Sequence, residues 1–326
     1  MNEILKQIRK PIEQELQDFG VLFDAALSNT DGTLSMVLNE VRKRSGKRMR
    51  PMLTILIAKN FGCVTDVTLH AAAGLELLHT ASLIHDDVVD ESDERRGQAS
   101  ANAIFGNKVA VLAGDFITSQ ALISVAKTGK IGMVKSIADL GCKLSNGEIK
   151  QLSVIGQNNI TEEDYYEVID QKTAALFETC CRLGALSVNA TEDDVKAAQD
   201  FGHYIGTIFQ IRDDIFDYYD SAEIGKPTGN DMREGKLTLP VIHVLLSNND
   251  EEMRSIAMRV KKLVATPDEI ARLVAYTKEH GGIEYAWQKM ESIGAEARKF
   301  IATYVKDPEL KPAFEAYLNY VIMRTL

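Results

Sequence analysis

Two short acidic runs have the composition to hold divalent cations: Asp86-Asp87-Val88-Val89-Asp90 and Asp213-Asp214-Ile215-Phe216-Asp217. On a helix the outer aspartates of such a run lie one turn apart on one face, and the second stands about 100° round from the first. The three carboxylates then point toward roughly one place. Like charges crowded at the end of an apolar helix are costly without a cation, and hard oxygen ligands favour magnesium, above all beside phosphate. A carboxylate excess at a helix C-terminus also opposes the macrodipole. One run alone reads as readily as a solvated helix end; two copies in one chain favour metal binding.

Cations accompany these runs. Lys47, Arg48 and Arg50 crowd beside Gly46 in the segment Ser45–Pro51, just ahead of a helix start. Charge and backbone amides there suit a diphosphate, although solvated basic turns are common. Arg95 and Arg96 follow the first acidic run, where a local salt-bridge patch with Asp93 and Glu94 is the alternative. Lys172 and Thr173 fall inside a helix, and Lys226 and Lys236 bracket a glycine-bearing segment after the second run. Each alone is an ordinary surface residue; together they supply the charge that two diphosphates require beyond magnesium.

The elements that must position these residues read as helix after helix. Threonines open several of them, Thr161 before Asp164, Thr191 before Asp194 and Thr266 before Pro267 and Glu269, each near a capping-box pattern. The periodicity predicts helices over 3–27, 33–44, 49–61, 66–90, 106–127, 130–153, 162–187, 192–219, 240–247, 251–264, 268–279, 282–304 and 309–323. The fold class expected is all-α, one large helical bundle around a central cavity, with residues 1–326 forming a single domain. The long irregular stretch from Ser221 to Leu239 is expected to be functional or mobile.

Composition narrows the function. With 45% hydrophobic and 26% charged residues the chain can bury a sizeable core. A net charge of -10 argues against nucleic acid as the main partner. Cys63, Cys142, Cys180 and Cys181 form neither a CxxC pair nor a metal spacing, which fits a reducing cytoplasm. The amino terminus is charged from Glu3 and lacks the apolar stretch of a signal peptide. The apolar run Leu69–Ile84 is interrupted by His70, Glu76 and His79, so it reads as a buried helix, and no transmembrane segment is expected.

With these motifs in place the chain resembles the trans-polyprenyl diphosphate synthases, and the long-chain octaprenyl type most. The resemblance spans nearly the whole sequence: GKRMRP at 46–51, HTASLIHDDVVDESDERRG at 79–97, GDF at 114–116, GEIKQ at 147–151, KT at 172–173, FQIRDDIFD at 209–217 and GKPTGNDMREGKLTLP at 225–240. It implies that Asp86, Asp87, Asp90, Asp213, Asp214 and Asp217 hold about three magnesium ions bridging to an allylic diphosphate. It implies further that Lys47, Arg50, His79 and Arg96 bind isopentenyl diphosphate, and that Arg95, Lys172, Thr173, Gln210, Lys226 and Lys236 contact the allylic diphosphate. Asp86, Asp87, Asp90, Arg95, Lys172, Asp213 and Lys226 would carry the catalysis: ionisation to an allylic cation, attack by the isopentenyl double bond, and proton loss to the departing diphosphate. His85 is left a structural role.

Two small residues bear on product length. Ala81 and Ser82 stand about one turn before Asp86, where relatives making short products carry bulky residues, so the resemblance implies a long product. It also implies a homodimer, and a long apolar product suggests peripheral membrane contact on release. The alternatives are a shorter-chain synthase of the farnesyl or geranylgeranyl type, or a non-catalytic partner subunit of a heteromer. The complete set of aspartates and arginines argues against the partner subunit. A terpene cyclase would lack the second DDxxD and GKRMRP, and a di-iron bundle would need a second ExxH beside Glu76 and His79.

Overall fold

The computed structural model describes residues 2–28, 32–43, 46–95, 97–219 and 228–323. Ser45, Arg96 and Lys226, three positions of the sequence reading, lie outside them. The elements in chain order are α1 (Asn2–Arg9), α2 (Glu13–Ala26), α3 (Gly32–Lys43), α4 (Met49–Phe61), α5 (Asp66–Val89), β1 (Glu94–Arg95), β2 (Gln98–Ala99), α6 (Ala101–Phe105), α7 (Asn107–Ala126), α8 (Ile131–Gly156) and α9 (Glu162–Ile169). They continue with α10 (Ala175–Ser187), α11 (Glu192–Phe216), α12 (Asn230–Arg233), α13 (Leu239–Ser247), α14 (Glu251–Lys261), α15 (Pro267–Glu279), α16 (Gly282–Tyr304) and α17 (Lys311–Met323).

The fold is all-α, apart from the β1–β2 pair, in which Arg95 faces Gln98 across a turn at Gly97 (φ 75°). The threonine caps act as their spacing predicts: Thr161, Thr191 and Thr266 accept the backbone N–H of Asp164, Asp194 and Glu269. Several predicted helices differ, and the one expected over 130–153 runs on to Gly156. Pro11 lacks an N–H, and the chain passes through a 3₁₀ turn at Lys10–Ile12 between α1 and α2. The stretch predicted as one helix over 162–187 is α9 and α10 joined by a π-helical turn at Asp170–Ala174. The predicted helix 192–219 ends at Phe216. The short helices α6 and α12 were not anticipated.

The bundle is organised about α5, α10 and α11. Helix α5 packs most extensively on α7, α10 on α11 and α4, and α11 on α16. Glycines permit the closest approaches. A Cβ added at Gly184 would stand 2.5 Å from the carbonyl oxygen of Thr54 on α4, and one at Gly206 would stand 2.5 Å from Cα of Ala174. One contiguous apolar cluster includes Ile8 and Ile12 near the start of the chain and Val321 and Ile322 near its end.

By length and composition two helices could cross a membrane, α5 and α7, which qualifies the expectation of none. In α5 that apolarity serves the bundle interior, since 67% of its most apolar window is buried. Helix α7 buries less and leaves Val111, Leu112, Leu122 and Ile123 exposed.

Candidate active site

Helices α5 and α11 each deliver an acidic run at their C-terminal end, where backbone carbonyls already concentrate negative potential. The rotation of α11 decides what its run can do. Arg212 is buried with its guanidinium over the rings of Phe216, at 3.7 Å, and Trp287, at 4.7 Å. One position on, Asp213 and Asp214 turn into a cavity of about 400 Å³. Arg95, Lys172, Thr173, Gln210 and Lys236 line the same cavity, as do Tyr165 and Asp231. Five of the ten residues assigned to diphosphates are therefore gathered in one place with two of the six assigned to metal.

The three carboxylates of the second run have different surroundings. Asp214 is 3% exposed, and its two oxygens accept from Tyr165 Oη at 2.6 Å and Gln210 Nε2 at 2.9 Å. Gln210 Oε1 in turn accepts from Thr173 Oγ1 at 2.7 Å, which fixes the amide with its nitrogen toward Asp214. Asp217 does not line the cavity. Its oxygens accept the backbone N–H groups of Asn230, at 2.9 Å, and Asp231, at 3.1 Å, and its carbonyl accepts from Gly229 at 2.8 Å. Asp217 thus holds the returning chain, and each of its oxygens keeps a second lone-pair direction beside the one its backbone donor takes.

That returning chain carries Lys236, whose backbone N–H donates to the carbonyl of Asp231 at 2.8 Å. Its Nζ lies 2.6 Å from Glu234. Lys172 belongs to the π-helical turn, with Nζ 2.6 Å from Glu148 Oε1 and 3.4 Å from Gln151 Oε1. Both partners come from GEIKQ on α8. Gly147 of that motif lets α8 approach the turn, since a Cβ there would stand 3.0 Å from the backbone nitrogen of Lys172.

On α5, Asp87 is 3% exposed and accepts from Arg95 Nε at 2.6 Å. The β1–β2 turn folds Arg95 back onto the helix end and so orients it. His85 packs over Gly114 of α7, its Nε2 3.2 Å from the carbonyl of Val111 and 3.4 Å from Asp115 Oδ1. This accounts for GDF in structural terms. Asp86, Asp87 and Asp90 are not in the cavity wall, yet Asp86 feels the charges of Lys172 and Arg95, and Lys236 feels that of Asp90.

Negative charge in the site is incompletely compensated. Burial, then the charge of Glu148, raises the Asp86 carboxyl to about 6. Burial also raises Asp214 to about 6, and burial together with Asp214 and Asp217 raises Asp231 to about 8. An all-oxygen donor set with excess negative charge fits a hard divalent cation. The sequence reading passed over Asp231 because it lies in the loop after the second run; only its placement in GNDMREGK could have suggested it.

Of the residues assigned to isopentenyl diphosphate, Lys47, Arg50 and His79 lie outside the cavity wall. Lys47 is exposed, its Nζ 5.6 Å from the ring centroid of Tyr320. Arg50 lies over Phe177 at 5.0 Å and Phe209 at 5.9 Å, with Nε buried and without a hydrogen-bond partner among the described residues. His79 lies on α5, and its carbonyl accepts the hydroxyl of Ser82 at 2.9 Å. Ala81 is 1% exposed, and neither it nor Ser82 lines the cavity.

One further group was missed. Asp170, Glu178 and His203 each bring a ligand atom within 4.8 Å of the others, a spacing open to a metal ion. None of the three lines the cavity. His203 Nδ1 lies 3.2 Å from Asp170 Oδ1, and Gln199 and Lys143 hold Glu178, so an ion-pair network accounts for the arrangement.

Residues 31–277 match the family model described as polyprenyl synthetase. The octaprenyl diphosphate synthase of Haemophilus influenzae is 35% identical over 298 residues, which cover 91% of this chain and 89% of that protein. Among solved structures, a geranylgeranyl pyrophosphate synthase from Bacteroides thetaiotaomicron is 46% identical with a TM-score of 0.87, covering 99% of this chain and 100% of the other. A decaprenyl diphosphate synthase from Rhodobacter capsulatus is 33% identical with a TM-score of 0.90, covering 98% of each chain. The sequence match and the shared helical architecture agree: the chain belongs to the polyprenyl synthetase family and is a chain-elongating trans-prenyltransferase.

Proposed function

We propose that this prenyltransferase condenses isopentenyl diphosphate with an allylic diphosphate such as farnesyl or geranylgeranyl diphosphate, and that its product is a long all-trans polyprenyl diphosphate. The observation that carries the reading is the cavity that Asp213 and Asp214 share with Arg95, Lys172 and Lys236. Such a lining offers cations to neutralise a departing diphosphate and carboxylates to anchor its counter-ions.

Magnesium, about three ions per site, is the fitting cofactor, held by Asp86, Asp87, Asp90, Asp213, Asp214 and Asp217. Bound there it would supply charge stabilisation to the leaving group. Lys172, Thr173, Gln210 and Lys236 bind and orient the allylic diphosphate, joined by Arg95 when it leaves Asp87. Arg96 and Lys226 remain assigned by resemblance alone. Lys47, Arg50 and His79 hold the isopentenyl substrate on the α4 and α5 side. Apolar residues of the same cavity, Val154, Ile155, Val168 and Leu237 among them, exclude water from the carbocation, and the departing diphosphate takes the proton.

A long product is supported by the small Ala81 and by the octaprenyl and decaprenyl names of two relatives. A geranylgeranyl product is the second reading. It is favoured by the name of the 46% identical structure and by Gly74, two turns below Ala81, where α5 lies directly against Val125 and Ala121 of α7. Four free thiols support a cytoplasmic location, the continuous core supports one domain, and the exposed apolar face of α7 supports a homodimer. Peripheral membrane contact would serve product release.

The deciding experiment incubates the purified protein with farnesyl diphosphate, labelled isopentenyl diphosphate and magnesium, with Asp86→Ala as control, and sizes the products. A ladder ending near eight units supports the long-chain reading, a stop at four supports the second, and no condensation by folded protein refutes both.

A further inference from the structure

Tyr165 touches the acidic site from an element that no motif covers. It lies on α9, is 7% exposed, lines the cavity, and donates its hydroxyl to Asp214 Oδ2 at 2.6 Å. The opposite oxygen accepts from Gln210, itself held by Thr173. A carboxylate oxygen offers two lone-pair directions, so each donor occupies one and leaves one. Two donors on two oxygens also fix the plane of the carboxylate, and with it where the remaining lone pairs point. Gln210 sits one turn before Asp214 on the same helix and moves with it, whereas Tyr165 reaches from α9. The phenol therefore registers the second acidic run against the wall that carries Lys172 through the π-helical turn.

We propose that Tyr165 is a positioning residue for divalent-cation binding: its hydroxyl holds the Asp214 carboxylate in the orientation a cation meets. The inference rests on the reading that this acidic site binds magnesium. Groups that orient a ligand without touching the metal change affinity by about 10- to 100-fold when removed. Tyr165→Phe removes one oxygen and keeps the ring, including its edge-on packing with Tyr166 at 5.2 Å.

The test titrates Mn²⁺ into wild type, Tyr165→Phe and Tyr166→Phe in the presence of inorganic diphosphate, reading free Mn²⁺ by electron paramagnetic resonance. In parallel, the magnesium half-saturation of condensation and the KM for isopentenyl diphosphate are measured. Tyr165→Phe is expected to bind Mn²⁺ about tenfold more weakly and to need about tenfold more magnesium. Its KM for isopentenyl diphosphate should be unchanged, and Tyr166→Phe should match wild type throughout. Wild-type Mn²⁺ affinity and magnesium half-saturation in Tyr165→Phe would overturn the proposal. Wild type that binds no Mn²⁺ and condenses without magnesium would instead overturn the cation reading beneath it. If Tyr165→Phe loses its helical circular dichroism, Tyr165→Gln, whose amide falls short of Asp214, decides by the same titrations with the same tenfold expectation.

Discussion

The carboxylate of Asp217 sits 2.9 Å from the backbone nitrogen of Asn230, and its second oxygen takes the next N–H along the chain. An aspartate that ends an acidic run thereby fastens the segment carrying Lys236. Asp217→Ala would leave two backbone donors without their acceptor, a cost of about 1–3 kcal/mol for each that stays buried. Urea denaturation should show that loss. Steady-state kinetics should show a raised KM for the allylic diphosphate, since Lys236 is displaced, and a raised magnesium half-saturation, since one proposed ligand is lost.

Asp213 is expected to behave differently. Asp213→Ala should lower kcat by at least about 10²-fold, the scale of losing one preorganised group that acts on developing charge. Chelation with EDTA should abolish turnover of the wild-type protein, and added magnesium should restore it. Residual activity of EDTA-treated protein at the untreated rate would exclude the cation from the reaction.

Proton linkage predicts the pH dependence of the metal-free fold. Burial raises Asp231 to about 8 and Asp86 and Asp214 to about 6, from an ordinary value of 3.8. Between about pH 4 and 8 the folded chain then holds more protons than the unfolded one, so these groups make stability fall as pH rises through that window and level off above it. Thermal melts in EDTA at pH 5, 6, 7 and 8 measure the trend, and saturating magnesium with diphosphate should flatten it. A melting temperature that rises with pH across the window would contradict this electrostatic picture.

Ala81 offers a test of product length. Ala81 is 1% exposed, so Ala81→Phe adds bulk in the interior and is expected to cost about 1–3 kcal/mol, and to shorten the longest product if the chain grows along α5. Product sizing against wild type decides. An unchanged ladder would place the growing chain elsewhere.

Gly206 tests the link between helix packing and the site. A methyl at 206 would stand 2.5 Å from Cα of Ala174, a backbone atom, where no flexible side chain can yield. Gly206→Ala should destabilise by about 1–3 kcal/mol and raise the KM for the allylic diphosphate through Lys172 and Thr173, both in the adjoining turn.

Much of this was legible in the sequence. Threonine caps, proline positions and apolar periodicity located most helices, because these are local effects with fixed spacing. Charge crowding pointed to the acidic runs, and Arg95, Lys172, Thr173, Gln210 and Lys236 do share a cavity with Asp213 and Asp214. What stayed hidden depends on distant chain. Helical geometry puts Asp217 on the face of Asp213, and nothing local announces that residues 230 and 231 return to claim it. Tyr165 looks like any helix aromatic until α9 packs beside α11. The π-helical turn carries neither proline nor glycine, the usual marks of an interrupted helix.

That turn has a consequence for insertions and deletions. A π turn holds about one residue more than an α turn, and one residue is worth about 100° of rotation. Deleting a single residue from 170–174 would let α9 and α10 merge into one regular helix with better hydrogen bonding, and would swing Tyr165 out of phase with everything that follows it. Local helical order and the angular register of the cavity wall are opposed here, and the extra residue acts as a phase shim that only the assembled site rewards.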